Sequence, residues 1–136
     1  MSNYITFTIN KQVMGISVQY VEKIMNSTLI TKIPSDLNYI EGVINYHDEI
    51  LTVINLKKLL NLDNSEKDAD SLQIIILYFN GYKAGIIVDE VREIEDADET
   101  VPYLKMKSQY ITGTMKLKND IVSIINPNIV NFSEQR

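Results

Sequence analysis

The chain's one histidine, His47, stands in His47-Asp48-Glu49 between two apolar runs, GVINYHDEILTVINL at residues 42–56. An imidazole beside two carboxylates could act as a general base or ligate a metal. A structural or catalytic zinc site needs further nitrogen or sulfur ligands in a set geometry, and the sequence holds no Cys and no second His. A nucleophilic triad needs a Ser on a strained elbow, and no GxSxG occurs. His47 therefore reads as a solvated turn residue between two strands.

Two other stretches could carry chemistry. DEVREIEDADE, residues 89–99, holds seven carboxylates and one Arg. A calcium loop needs alternating oxygen ligands and a Gly at its sixth position, which this run lacks, so it reads as a solvated face that could steer a basic partner. Gly81 and Gly85 in NGYKAG fit neither the phosphate loop nor the dinucleotide fingerprint. Asn80-Gly81 reads as a tight hairpin turn, and Gly15 and Gly85 as close approaches of backbone within strands. No catalytic, cofactor or metal site emerges.

The elements that position these residues are organised by an internal repeat. YIEGVINYHDEILTVIN (39–55) lies without a gap on YITGTMKLKNDIVSIIN (110–126), and INKQVMGISVQYVEKI (9–24) on FNGYKAGIIVDEVREI (79–94). Both halves pass a Pro, Pro34 or Pro102, between the two blocks. Two blocks in one order mark two homologous lobes of a single domain over 1–136, approximately 10–70 and 71–132, with terminal strands open to exchange between them. NLDNSEKDADS (61–71) between them is polar and acidic and reads as a surface linker. Lys118-Asn119-Asp120 replaces His47-Asp48-Glu49 in the second copy, so chemistry at His47 is not shared by the lobes.

Within each lobe the pattern is mainly β with short helices. Ile5, Phe7 and Ile9 alternate at period two, and many short runs rich in β-branched residues are bounded by turn residues. The spacing points to two small barrels. VQYVEKIM predicts about two helical turns with Val18, Val21 and Met25 on one stripe, a surface that could also dock a partner helix. Asn55 before LKKLL and Asn126 before Pro127 are expected helix N-caps.

Composition bounds the role. The net charge of −5 and pI near 4.8 argue against nucleic acid or anionic lipid as the main partner. No run approaches the roughly 18 apolar residues of a membrane span, no secretory signal is visible, and the lack of Cys fits a reducing cytoplasm. A two-lobed β protein whose business is binding is the expectation.

GVINYHDEILTVINLKKLL resembles the signature GVxNLRGxIxPVxDLRxxL of the CheW-like family, GIIVDEVREI resembles its second signature GLxVDxVxEV, and FTINKQVMGISVQYVEKI its opening. The likeness covers about residues 4 to 132. It implies an all-β fold of two pseudo-repeated SH3-like five-stranded barrels packed together. It also implies a cytoplasmic, non-enzymatic scaffold of bacterial chemotaxis that links chemoreceptor cytoplasmic tips to the regulatory domain of the histidine kinase CheA, without cofactor or direct membrane insertion. The family's receptor-facing Val, Gly and Asn fall on Val21, Gly42 and Asn45. Departures stand at Lys23, where the family has Glu, at His47 for Arg, Asp48 for Gly and Thr52 for Pro. His47 replaces a permanently charged bidentate donor with a smaller ring. Lys23 reverses a charge, which alters association rate and partner choice more than raw affinity. These two changes admit a second role, an accessory adaptor for a divergent receptor or kinase. A third, from another class, is a small-ligand-binding β-barrel or an enzyme using its carboxylates, which needs a sizeable concave pocket.

Overall fold

The computed structural model describes residues 2–26, 28–62, 72–97, 101–102, 109–117 and 120–131. Strands β1 (Ser2–Ile9) and β2 (Gln12–Ser17) form a hairpin, and a 3₁₀ turn at Val18–Tyr20 leads into β3 (Val21–Asn26). A second hairpin, β4 (Ile40–Tyr46) and β5 (Glu49–Asn55), runs into the one-turn helix α1 (Leu56–Leu59). The second half repeats this order with β6 (Gln73–Phe79), β7 (Tyr82–Val88), β8 (Glu90–Ala97), β9 (Val101–Pro102), β10 (Ile111–Leu117), β11 (Asp120–Ile125) and a 3₁₀ turn at Pro127–Val130.

Turn chemistry fixes the registers. The loops Asn10-Lys11, His47-Asp48 and Asn80-Gly81 have positive φ at both residues, 51° and 69°, 49° and 65°, 55° and 87°. That is the primed turn whose twist matches the flanking strands. Asn, Asp and His are the side chains that best tolerate this region, which accounts for the types found at His47 and Asp48. Asn55 caps α1 by accepting from the Lys58 amide at 3.2 Å, and Asn126 accepts from the Asn128 amide at 3.0 Å ahead of Pro127.

The strands form two sheets, one ordered β3-β6-β7-β5-β4 and the other β8-β1-β2-β11-β10-β9. Each sheet takes its first hairpin from the other repeat: β6–β7 sits among strands of the first half, and β1–β2 among strands of the second. The two joins are parallel and equivalent, with Val53 opposite Gly85 and Ile124 opposite Gly15. Ile124 Cδ1 and Val122 Cγ1 lie 3.4 Å from where a Cβ on Gly15 would stand, and Ile74 Cγ2 lies 2.9 Å from the same point on Gly85. Close packing over the backbone, as expected of these glycines, holds at both.

Each sheet closes on itself. The chain that leaves β3 at one edge returns to the opposite edge, where Thr31 bridges Val43 of β4 by two bonds of 2.9 Å. The short β9 does the same beyond β8, pairing Val101 and Pro102 with Thr114 and Gly113. The two closed five-stranded arrays of the expected mainly-β fold are thus present, with β9 as a two-residue addition to the second.

Among the described residues, buried side chains fall into three cores. Ile44, Leu51, Val53, Ile74 and Ile76 fill the first array. Their counterparts Met115, Val122 and Ile124 fill the second. The largest lies between the arrays and includes Ile5, Phe7, Ile9, Ile16, Ile54, Ile75, Leu77, Ile86 and Ile125. Thr6 is buried as well: its hydroxyl donates to the Glu93 carbonyl at 2.8 Å and accepts from the Glu93 amide at 3.2 Å, bridging the register shift between β1 and β8.

The expected helix at VQYVEKIM is not there. Only Val18–Tyr20 turns, and Val21 onward is strand. Two isolated turns of helix are marginal, whereas the extended chain gains a ladder to β6, with Ile24 opposite Ile75 and Met25 opposite Ile74. Most of the expected linker at 61–71 lies outside the described residues, as do Asp98, Glu99, Lys118 and Asn119.

Candidate partner-binding surface

Gly42 is buried in β4 at φ 156°, beside a register shift between Ile40 and Gly42. A Cβ there would collide with the Thr31 carbonyl oxygen and lie 2.9 Å from Ile30 Cγ2. The glycine is required because the returning chain pairs at the very next residue, Val43. Its part in any surface is to let that pairing form, since it offers no side chain and little exposed area.

The remaining candidate residues lie along the edges that this pairing joins. Val21 opens β3 opposite Leu77 and is half-buried against the central core, so it is a strand residue and not an exposed helical one. Lys23 is exposed on β3, past a register shift that leaves Glu22 unpaired in the ladder. Asn45 is exposed on β4 opposite Ile50, which is 68% exposed. His47 is exposed in the turn, its ring 4.4 Å from that of Tyr46 in an edge-to-face contact. Leu29, on the returning segment, is 84% exposed. Exposed apolar side chains beside polar ones suit a protein partner.

A polar cluster ties this region together. Lys83 of β7 bonds Glu49 of β5 at 3.0 Å and Glu22 of β3 at 3.2 Å, with the Tyr78 ring centroid 5.8 Å away. Those two hydrogen-bonded carboxylates hold the Lys83 ammonium above its ordinary pKa. Burial, with the neighbouring Glu22 carboxylate, raises the phenol of Tyr46 on β4 in turn. Sequence reasoning missed this cluster, because its members come from four strands and are far apart in the chain.

The acidic run divides between buried and exposed carboxylates. Asp89 is buried, accepts from the Asn10 amide at 2.8 Å and pairs with Lys57 at 3.1 Å. Glu90, Arg92, Glu93 and Asp96 are exposed, as a solvated face requires. Among the described residues no cluster of three His, Asp or Glu is placed to hold a metal ion. A cavity of about 30 Å³ beside Arg92, Glu93 and Glu95 is an order of magnitude below the roughly 300–1,000 Å³ of small-molecule sites. Among the described residues, no helix is long and apolar enough to cross a membrane.

Two closed five-stranded arrays with exchanged first hairpins, and the quoted signatures at their hairpins, agree with one domain family: the CheW-like domain matches residues 3–131. The chain belongs to the CheW-like family. The chemotaxis protein CheW of Bacillus subtilis is 35% identical over 93% of this chain and 84% of its own length. That of Thermotoga maritima is 31% identical over 64% of this chain and 56% of its own. The crystal structure of the scaffolding protein TtCheW from Thermoanaerobacter tengcongensis superposes with a TM-score of 0.86 at 30% identity, covering 92% of this chain and 88% of that one. In this CheW-like chain the departures at Lys23, His47 and Asp48 all fall on exposed positions. Thr52 is half-buried within β5, opposite Val43, where the strand runs unbroken without a proline.

Proposed function

We propose that this chemotaxis coupling adaptor links chemoreceptor cytoplasmic tips to the regulatory domain of the histidine kinase CheA. It does so in the cytoplasm, without catalysis, cofactor or nucleic acid. The observation that supports the reading is the closure of the first array: Thr31, on the chain leaving β3, pairs with Val43 of β4, and Lys83 reaches both Glu22, beside Lys23, and Glu49, in the hairpin of His47. The test is to mix the chain with receptor-tip fragments and the CheA regulatory domain of the same organism. Binding to both at tens of micromolar or better is expected, and binding to neither overturns the proposal.

The exposure of Lys23 and His47 favours a narrower reading, an accessory adaptor for a divergent receptor or kinase. Lys23→Glu combined with His47→Arg then improves binding to typical CheW partners. If the double change makes no difference, those positions do not set specificity.

A further inference from the structure

The Glu22–Lys83–Glu49 cluster is not a demand of the fold. The repeat supplies a control within the same molecule. Lys83 pairs with Tyr78 across its hairpin, and the same register place in the second array holds Val13, opposite Thr8. Glu49 pairs with Tyr46, and Asp120 with Leu117 in the same way. At the offset of the repeat, Arg92 stands for Glu22. Val13, at the place of Lys83, cannot form this double ion pair, so an array of this fold forms without it.

The cluster is instead placed on the candidate surface. Glu22 immediately precedes Lys23, at the register shift of β3. Tyr46, the pairing partner of Glu49 across the turn, immediately precedes His47 and touches its ring. Glu49 closes the same turn from the other strand, opposite Tyr46. One ammonium therefore ties β3 to β5.

We propose that Lys83 is a positioning residue for partner binding, fixing through Glu22 and Glu49 the relative placement of Lys23 and of the His47 turn. This rests on the reading that Lys23 and His47 meet a partner. Lys83→Met keeps the aliphatic stem and removes the charge, and Lys83→Arg keeps the charge. The amides of Lys23 and His47 are followed by nitrogen-edited NMR on the free chain, and affinity for the receptor-tip fragment is measured in parallel with Lys23→Glu as reference. In Lys83→Met the resonances of both amides move, exchange of the turn amides accelerates, and affinity falls about fivefold; Lys83→Arg restores all three. Unchanged resonances at Lys23 and His47 overturn the inference whatever the partner does. If Lys23→Glu alters affinity and Lys83→Met does not, the positioning role fails while the surface stands. If neither alters affinity, the surface reading fails and the positioning role with it.

Discussion

Replacing Gly42 by Ala tests the joint on which the first array closes. The new methyl would overlap the Thr31 carbonyl oxygen, and Ile30 Cγ2 stands only 2.9 Å from it. Relief requires the returning segment to move away, which breaks both bonds between Thr31 and Val43, each 2.9 Å. Losing two hydrogen bonds costs about 2 kcal/mol, and drawing Ile30 off the first-array core costs about 1 kcal/mol more. Gly81→Ala is the control, because its φ is 87° and nothing lies within 4 Å of its Cβ position. Only backbone strain of about 1–2 kcal/mol acts there, reduced by the unfolded-state entropy that alanine removes. With unfolding entropy of about 2.1 cal/mol/K per residue, a chain of 136 residues loses about 3–4 °C per kcal/mol. Gly42→Ala should therefore melt about 10 °C lower and Gly81→Ala about 3–4 °C lower. Urea denaturation followed by circular dichroism supplies the free energies, and equal slopes keep the comparison valid. Equal losses at the two glycines would refute the close approach of Thr31 to β4.

Three further outcomes follow from other contacts. Asp89→Ala removes, at a nearly buried site, the carboxylate that pairs with Lys57 and accepts from the Asn10 amide, so unfolding free energy falls by about 3 kcal/mol, read by urea denaturation. Asn55→Ala removes the cap of α1 and costs about 1 kcal/mol; because the helix is a single turn packed on Leu56 and Leu59, the loss appears in amide exchange at Lys58 before it appears globally. The third outcome is a pH profile. Tyr46 and Lys83 both hold their protons to higher pH in the folded chain than in the unfolded one. Their contribution is complete below about pH 10 and is lost as the pH rises through the folded values. Melting temperature against pH shows the alkaline fall, and Lys83→Met flattens part of it; an identical fall in the variant would contradict the assignment.

What was legible in the sequence was local. Asn80-Gly81 announces its turn because few residues accept positive φ twice running, and Asn55 and Asn126 announce caps because their side chains reach the next amides. Gly42 and Asn45 stood out through the resemblance, and the geometry gives Gly42 its reason. The segment from Val18 to Met25 misled because a register shift between Val21 and Lys23 breaks the two-residue alternation. The apolar spacing that remains is one a helix shares. Asp89 looked like one more surface carboxylate, since its partners Lys57 and Asn10 lie far away in sequence. The Lys83 cluster was hidden for the same reason. Repeats reveal which segments are alike, but not which array each one joins.

The exchange of hairpins bears on the chain's ancestry. Because β1–β2 completes the array of the second repeat and β6–β7 that of the first, neither repeat is a self-sufficient building block. A half-length ancestor with this register would have had to lend its leading hairpin to a second copy and borrow one in return, as a symmetric exchanged dimer. Joining two such copies in one chain would turn a concentration-dependent association into an intramolecular one. In one chain the two halves need not stay alike, and they now differ here: Lys83 clasps one array where Val13 stands in the other.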